Sequence, residues 1–148
     1  RSIIHSLGKA GAAEIAVINR TKKKALDALE LAGSVGRYVE ETEIHEVVSE
    51  ANLVVNATPI GMLDTDDTAN FPIEPNLFSK GQLAIDLIYH PISTPWMEAL
   101  RDLEVEAHGG LSMLIFQAAR AFNLWTGKEA PVDAMRKAAM DEIENKTQ

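Results

Sequence analysis

AEIAVINRT, residues 13–21, followed at once by Lys22, Lys23 and Lys24, decides how this chain of 148 residues is read. Its apolar run has the pattern of a short buried strand, and the C-terminal end of that run meets a cluster of cations. In dinucleotide-binding folds the end of the second strand reads the adenosine ribose. An acid there hydrogen-bonds the free 2′-hydroxyl of NAD, and a cation accommodates the 2′-phosphate of NADP. Here the strand ends in Asn19-Arg20-Thr21 with no acid at the turn, so an NADP site is expected. Thr21 is a candidate N-cap for a helix over 22–32, with Ala25, Leu26, Leu29 and Ala32 on one side. Three lysines in its first turn oppose the helix dipole, at roughly 0.3–1 kcal/mol for each well-placed charge. An anion held at the same place offsets that cost, because helix N-termini are ready phosphate sites. A solvated basic turn is the other reading of the same residues.

The glycine loop that accompanies such a turn, G-x-G-x-x-G, belongs about 20 residues upstream. That distance reaches Arg1 or just before it, and the motif occurs nowhere in the chain. Residues 2–9 read instead as a helix ending near Gly8 and Gly11, the helix that follows such a loop. The expectation is therefore the C-terminal part of a longer protein. Its fold class is α/β, a Rossmann-like doubly wound parallel sheet lacking its first strand and glycine loop. In the strand order 3-2-1-4-5-6 that first strand is central, so strands two and four each keep an unpaired edge.

The rest of the chain alternates. Strands are predicted at 13–19, 37–40, 53–57, 83–89 and 105–107, and helices at 22–32, 43–49, 95–103, 111–125 and 132–143. Strands alternating with helices mean a parallel α/β sheet. Residues 1–148 are expected to form one partial NADP-binding domain that includes the C-terminal helices 111–143, with an N-terminal substrate domain absent. The stretch 63–80 is polar and acidic and carries two prolines. A structureless loop of that length is often a lid or binding loop, and a tolerated surface insertion is the alternative.

Composition narrows the function class. A hydrophobic share of 46% and a charged share of 24% are globular values. A net charge of −8, with no basic face beyond the local cluster, argues against a nucleic-acid partner. No apolar run is long enough to span a bilayer, and the cytoplasm is the expected compartment. The absence of cysteine excludes disulfides, thiol catalysis and cysteine-ligated metal. His5, His45, His90 and His108 lack ligand spacing, so no metal is expected, and they read as surface or satisfied core residues.

In open α/β sheets ligands sit beyond the C-terminal strand ends, and four such ends carry unusual residues. The first is Asn19-Arg20-Thr21. The second is NATPIGM at 56–62, where small polar groups and a Pro/Gly turn let backbone and hydroxyl approach a cofactor. The third is DLIYHP at 86–91. Asp86 would be costly in a buried strand unless paired, so it reads as a structural acceptor and Tyr89 as the group entering the cleft. The fourth is His108-Gly109-Gly110-Leu111, where paired glycines before a helix allow backbone contact with a ligand. Gln117 is a lone amide in an almost fully apolar helix, and a buried amide needs a partner. A substrate hydroxyl and a backbone carbonyl are the two candidates.

Taken in register, NRT at 19–21, NATPIGM at 56–62, DLIYHPISTP at 86–95 and GGLSMLIFQAARAFNLWTG at 109–127 resemble the C-terminal NADP-binding domain of the shikimate dehydrogenase family. The resemblance implies NADPH-dependent reduction of 3-dehydroshikimate to shikimate, in aromatic amino-acid biosynthesis. It implies that Asn19, Arg20, Thr21 and Lys24 surround the adenosine 2′-phosphate. Lys24 replaces an arginine found in many relatives, a point charge for a planar fork. Thr58 would line the cofactor path, and Leu87 and Gly110 would contact the nicotinamide end. Tyr89 and Gln117 would hydrogen-bond the substrate. The family's catalytic Lys–Asp pair lies in its N-terminal substrate domain, so no catalytic residue is expected in this chain, which by itself should not turn over. A paralogue that prefers quinate or accepts NAD, a non-catalytic NADP-binding module and a pure interaction domain are the alternatives. A small-molecule substrate is the expected partner, and a homodimer is compatible with the reading.

Overall fold

The computed structural model describes residues 1–62 and 70–146. Among these, strands and helices alternate, and every strand pairing is parallel. Contacts divide the chain into two compact units, Arg1–Glu50 and Ala51–Gln148.

The first unit runs α1 (Ser2–Lys9), β1 (Ile15–Val17), α2 (Lys22–Leu29), β2 (Gly36–Tyr38) and α3 (Ile44–Glu50), with short 3-10 turns at Gly33–Val35 and Glu41–Glu43. β1 and β2 form a two-stranded sheet, Ile15 opposite Gly36 and Val17 opposite Tyr38. Its core holds Ile15, Ala25, Ala32, Val39 and Val48. Positions 25, 29 and 32 follow the i, i+4, i+7 rule of a buried helical stripe. Leu26 lies off that stripe and is 48% exposed, against its expected place on the inner side. α2 also ends earlier than expected. After Leu29 the backbone closes i→i+3 bonds, Leu31 to Ala28 and Ala32 to Leu29, and Gly33 turns the chain at φ +62. Gly36 lets the end of α2 and the turn after it lie against β2, since a Cβ there would stand 2.9 Å from the Leu29 side chain and 2.7 Å from the Ala32 methyl.

The second unit runs β3 (Leu53–Asn56), β4 (Leu83–Asp86), α4 (Pro95–Asp102), β5 (Glu106–His108), α5 (Leu111–Thr126) and α6 (Val132–Lys146), with a 3-10 turn at Pro75–Leu77. The sheet order is β3-β4-β5, with Asn56 opposite Asp86. Ala84, Trp96, Met97 and Leu100 are all but sealed from solvent. Phe78 meets the Trp96 ring edge-on at 5.8 Å, and the indole N–H donates to the Ile73 carbonyl at 2.9 Å. That bond fixes part of the long stretch 63–80. Its residues 63–69, and with them the lid reading, lie outside the described residues.

Among the described residues β1, β2, β3 and β5 each have one neighbour in their own sheet, and β4 has two. α5 ends in Gly127, left-handed at φ 67, whose N–H closes on the Asn123 carbonyl. Among the described residues no helix is long and apolar enough to cross a membrane.

Candidate functional site

At the end of β1 the chain turns on its own side chain. Asn19 Oδ1 accepts from the Thr21 N–H at 2.8 Å, an Asx turn that delivers the chain into α2. Thr21 occupies the N-cap position, but its hydroxyl makes no capping bond, which corrects the expected side-chain cap. The first helical bonds are Lys24 N–H and Ala25 N–H to the Thr21 carbonyl, at 3.0 and 3.3 Å. Arg20, Lys22, Lys23 and Lys24 are all exposed.

The four cations are not equivalent. Lys22 Nζ pairs with Glu40 Oε1 and lies 4.9 Å from the centroid of the Tyr38 ring. The hydrogen bond that Lys22 donates to Glu40, and after it the Glu40 charge, holds the Lys22 ammonium above the usual lysine range. The side chains of Arg20, Lys23 and Lys24 have no hydrogen bond or ion pair among the described residues. Nearby, Arg37 is spent on Glu14 and Glu43, at 2.8 and 3.2 Å. This end of the first unit therefore presents three exposed, unengaged cations, Arg20, Lys23 and Lys24, at the start of α2. Such an arrangement can hold a phosphate.

The second unit builds its strand ends on a buried polar network. Asp86 is fully buried at the last position of β4. Its Oδ1 accepts from Asn56 Nδ2 at 3.0 Å and from the Ile88 N–H at 3.1 Å. Its Oδ2 accepts from the Thr94 hydroxyl at 2.8 Å. Thr94 Oγ1 in turn accepts from the Met97 N–H at 3.3 Å, capping α4. Asn56 Oδ1 takes the Thr58 N–H at 2.9 Å and the Thr58 hydroxyl at 2.7 Å. Every member is partnered, so the network rigidifies rather than destabilises its surroundings. It also ends β4 at Asp86, three residues earlier than the sequence predicts, because the Asp86 carboxyl draws in the Ile88 N–H. Asp86 is thus the structural acceptor expected of it, and Thr58 sits exposed on the turn the network holds.

Leu87 and Gly110 come together. The Gly110 N–H donates to the Ile88 carbonyl at 2.8 Å. A Cβ on Gly110 would fall 2.1 Å from the Leu87 carbonyl oxygen. Only glycine permits that approach, and it seats the N-terminus of α5 on the loop that leaves β4. Tyr89, two residues on, is 42% exposed.

Gln117 stands about two turns into α5 and is exposed, which corrects the expectation of a buried amide needing a partner. An apolar helix does not bury all its faces here: Phe116, Leu124 and Trp125 are 57%, 69% and 85% exposed. No hydrogen bond joins Tyr89 and Gln117 among the described residues. His108 pairs with Glu106 at 2.7 Å on the surface. His90 departs from the reading of a surface or satisfied core residue, because its Nδ1 is enclosed with no partner among the described residues.

Sequence reasoning passed over three residues. Glu40 reaches Lys22 across 18 positions, and its local signal was only a capping box with Glu43. Asn56 donates to Asp86 across 30 positions, and no local signal in the turn 56–62 marks that bond. Thr94 was legible as an N-cap, since it precedes Pro95 at the first helical position.

A family profile described as the shikimate 5'-dehydrogenase C-terminal domain matches residues 110–140. The shikimate dehydrogenase (NADP(+)) of Chlorobaculum tepidum is 33% identical over 139 residues, 88% of this chain and 47% of that protein. Among solved structures, shikimate 5-dehydrogenase from Thermus thermophilus in complex with NADP(H) and shikimate aligns with a TM-score of 0.77 at 35% identity, covering 92% of this chain and 48% of that one. Quinate dehydrogenase from Corynebacterium glutamicum in complex with NAD aligns with a TM-score of 0.85 at 29% identity, covering 95% of this chain and 50% of that one. The chain spans about half the length of the curated relatives it matches.

Proposed function

We propose that this chain, which belongs to the shikimate dehydrogenase family, is the NADP-holding part of an enzyme that reversibly reduces 3-dehydroshikimate to shikimate. The turn 19–24 carries the proposal: exposed and unengaged Arg20 and Lys24 at the start of α2 fit a 2′-phosphate, with Asn19 and Thr21 shaping the turn. In the second unit the close backbone approach of Gly110 to Leu87 supports a flat seat for the nicotinamide end, and Thr58 lines the path to it. Tyr89 and Gln117, both exposed polar groups, hydrogen-bond the substrate hydroxyls. NADPH, when bound, supplies the hydride exchanged between nicotinamide C4 and substrate C3. The residues named here bind and orient; the cofactor carries the hard chemistry. We assign the proton transfer to a substrate domain outside these residues, and residues 1–148 to one NADP-binding domain.

A second reading has its own support. The likeness to a quinate dehydrogenase in complex with NAD favours a paralogue that takes quinate or NAD. One experiment separates the two. The intact protein that carries this chain is mixed with NADP⁺ and shikimate, with NAD⁺ and quinate in parallel, and absorbance is followed at 340 nm. A rise confined to NADP⁺ with shikimate is expected. A rise with NAD⁺ and quinate instead favours the second reading, and a flat trace for every pair from folded protein refutes both.

A further inference from the structure

β1 and β2 run parallel, with Val17 opposite Tyr38. The Val39 N–H continues the ladder to the Val17 carbonyl at 3.1 Å. Two residues past that last pair, both chains leave the sheet at the same end, one at Asn19 and the other at Glu40. Glu40, two residues past β2, thus brings an acid to the sheet end from which the turn 19–24 departs. Glu40 is fixed on two sides. Its carboxylate accepts from the Glu43 N–H while its own N–H donates to Glu43 Oε2 at 2.8 Å. The same side chain takes the Lys22 ammonium. Lys22 is further held over the Tyr38 ring, so it is drawn toward β2 and its charge is offset.

We propose that Glu40 is a built-in counter-charge of the cation turn, and that the Lys22–Glu40 pair sets how strongly the site prefers a 2′-phosphate over a free 2′-hydroxyl. This rests on the reading of residues 19–24 given above. With the pair closed, Lys22 adds no net charge, and discrimination falls to Arg20 and Lys24. With Glu40 neutral, Lys22 joins them. With Lys22 neutral, a carboxylate stands uncompensated at the same strand end, where it repels a phosphate and can accept from a hydroxyl.

The test is a double-mutant cycle in the intact protein, reading dissociation constants for NADP⁺ and NAD⁺ by titration calorimetry at low and high salt. Glu40→Gln keeps an acceptor for the Glu43 N–H, and thermal melting checks that each variant is folded. Glu40→Gln should raise the NADP⁺ over NAD⁺ preference about threefold at low ionic strength, and less at high salt. Lys22→Gln should lower it by a similar factor, and the double variant should return near the starting ratio. A ratio unmoved by both single variants, while Arg20→Ala still lowers it, overturns the role of Glu40 and leaves the phosphate reading standing. A ratio unmoved by Arg20→Ala removes the phosphate reading and this inference with it.

Discussion

Replacing Gly110 by alanine would put a methyl group inside the backbone of another segment. The new Cβ would stand 2.1 Å from the Leu87 carbonyl oxygen, 2.5 Å from its carbon and 3.0 Å from its Cα. These are main-chain atoms, so no rotamer change relieves the clash. Either the Leu87 peptide or the first turn of α5 has to retreat by about 1 Å to restore ordinary contact. Overpacking of this kind costs about 1–3 kcal/mol. Straining the Gly110 N–H bond to Ile88, now 2.8 Å, adds about 1 kcal/mol. A total of about 2–4 kcal/mol lowers the melting temperature of a domain of this size by roughly 5–15 °C. If the Gly110–Leu87 approach is the nicotinamide seat proposed above, a displacement of about 1 Å there should also reduce turnover of the intact protein, on the order of a hundredfold. Gly109→Ala is the internal comparison, because its nearest neighbour, the Ile92 carbonyl oxygen, lies at 3.0 Å, and its loss should be smaller. Circular dichroism melting and steady-state kinetics of the intact protein read both effects. A Gly110→Ala protein that melts within about 2 °C of the unaltered one would show that the Leu87 loop yields freely, and the argument for a rigid seat would fail.

Asp86→Ala strips partners from the Asn56 amide, the Thr94 hydroxyl and the Ile88 N–H. It should cost about 3 kcal/mol or more, seen as a lower urea midpoint at unchanged slope. Asp86→Asn, which keeps one acceptor, should cost less than half as much. Arg20→Ala should weaken NADP⁺ binding roughly ten- to a hundredfold, the worth of a charge-assisted bond, and leave NAD⁺ nearly unaffected; an equal loss for both would sink the 2′-phosphate assignment. Gln117→Ala should reduce the efficiency of shikimate use with little change in NADP⁺ affinity. Its exposure implies a change in stability within about 0.5 kcal/mol, so unaltered KM and kcat would leave the side chain without a role.

Much of this molecule is legible locally. The alternation of strand and helix, the parallel pairing, the cation turn at 20–24 and the glycines at 109–110 all follow from residues close in sequence. Hydrophobic periods of two and of about 3.6, and capping or turn chemistry, act within one or two helical turns. The same local rules blur the edges, as where β4 stops at Asp86 and α2 stops at Leu29. What only the tertiary structure decided are the meetings across a crossover. Parallel strands joined through helices deliver distant positions to one end of a sheet. Glu40 thereby reaches Lys22, Asn56 meets Asp86, and Gly110 lands on Leu87. Composition marks Lys22 as one of four similar cations, and strand register singles it out by giving it a carboxylate. Composition also makes Gln117 an amide in an apolar helix, and the packing of α5 leaves it facing outward. Sequence assigns a residue its chemistry, while its partners are set by register and packing, which depend on the whole folded unit.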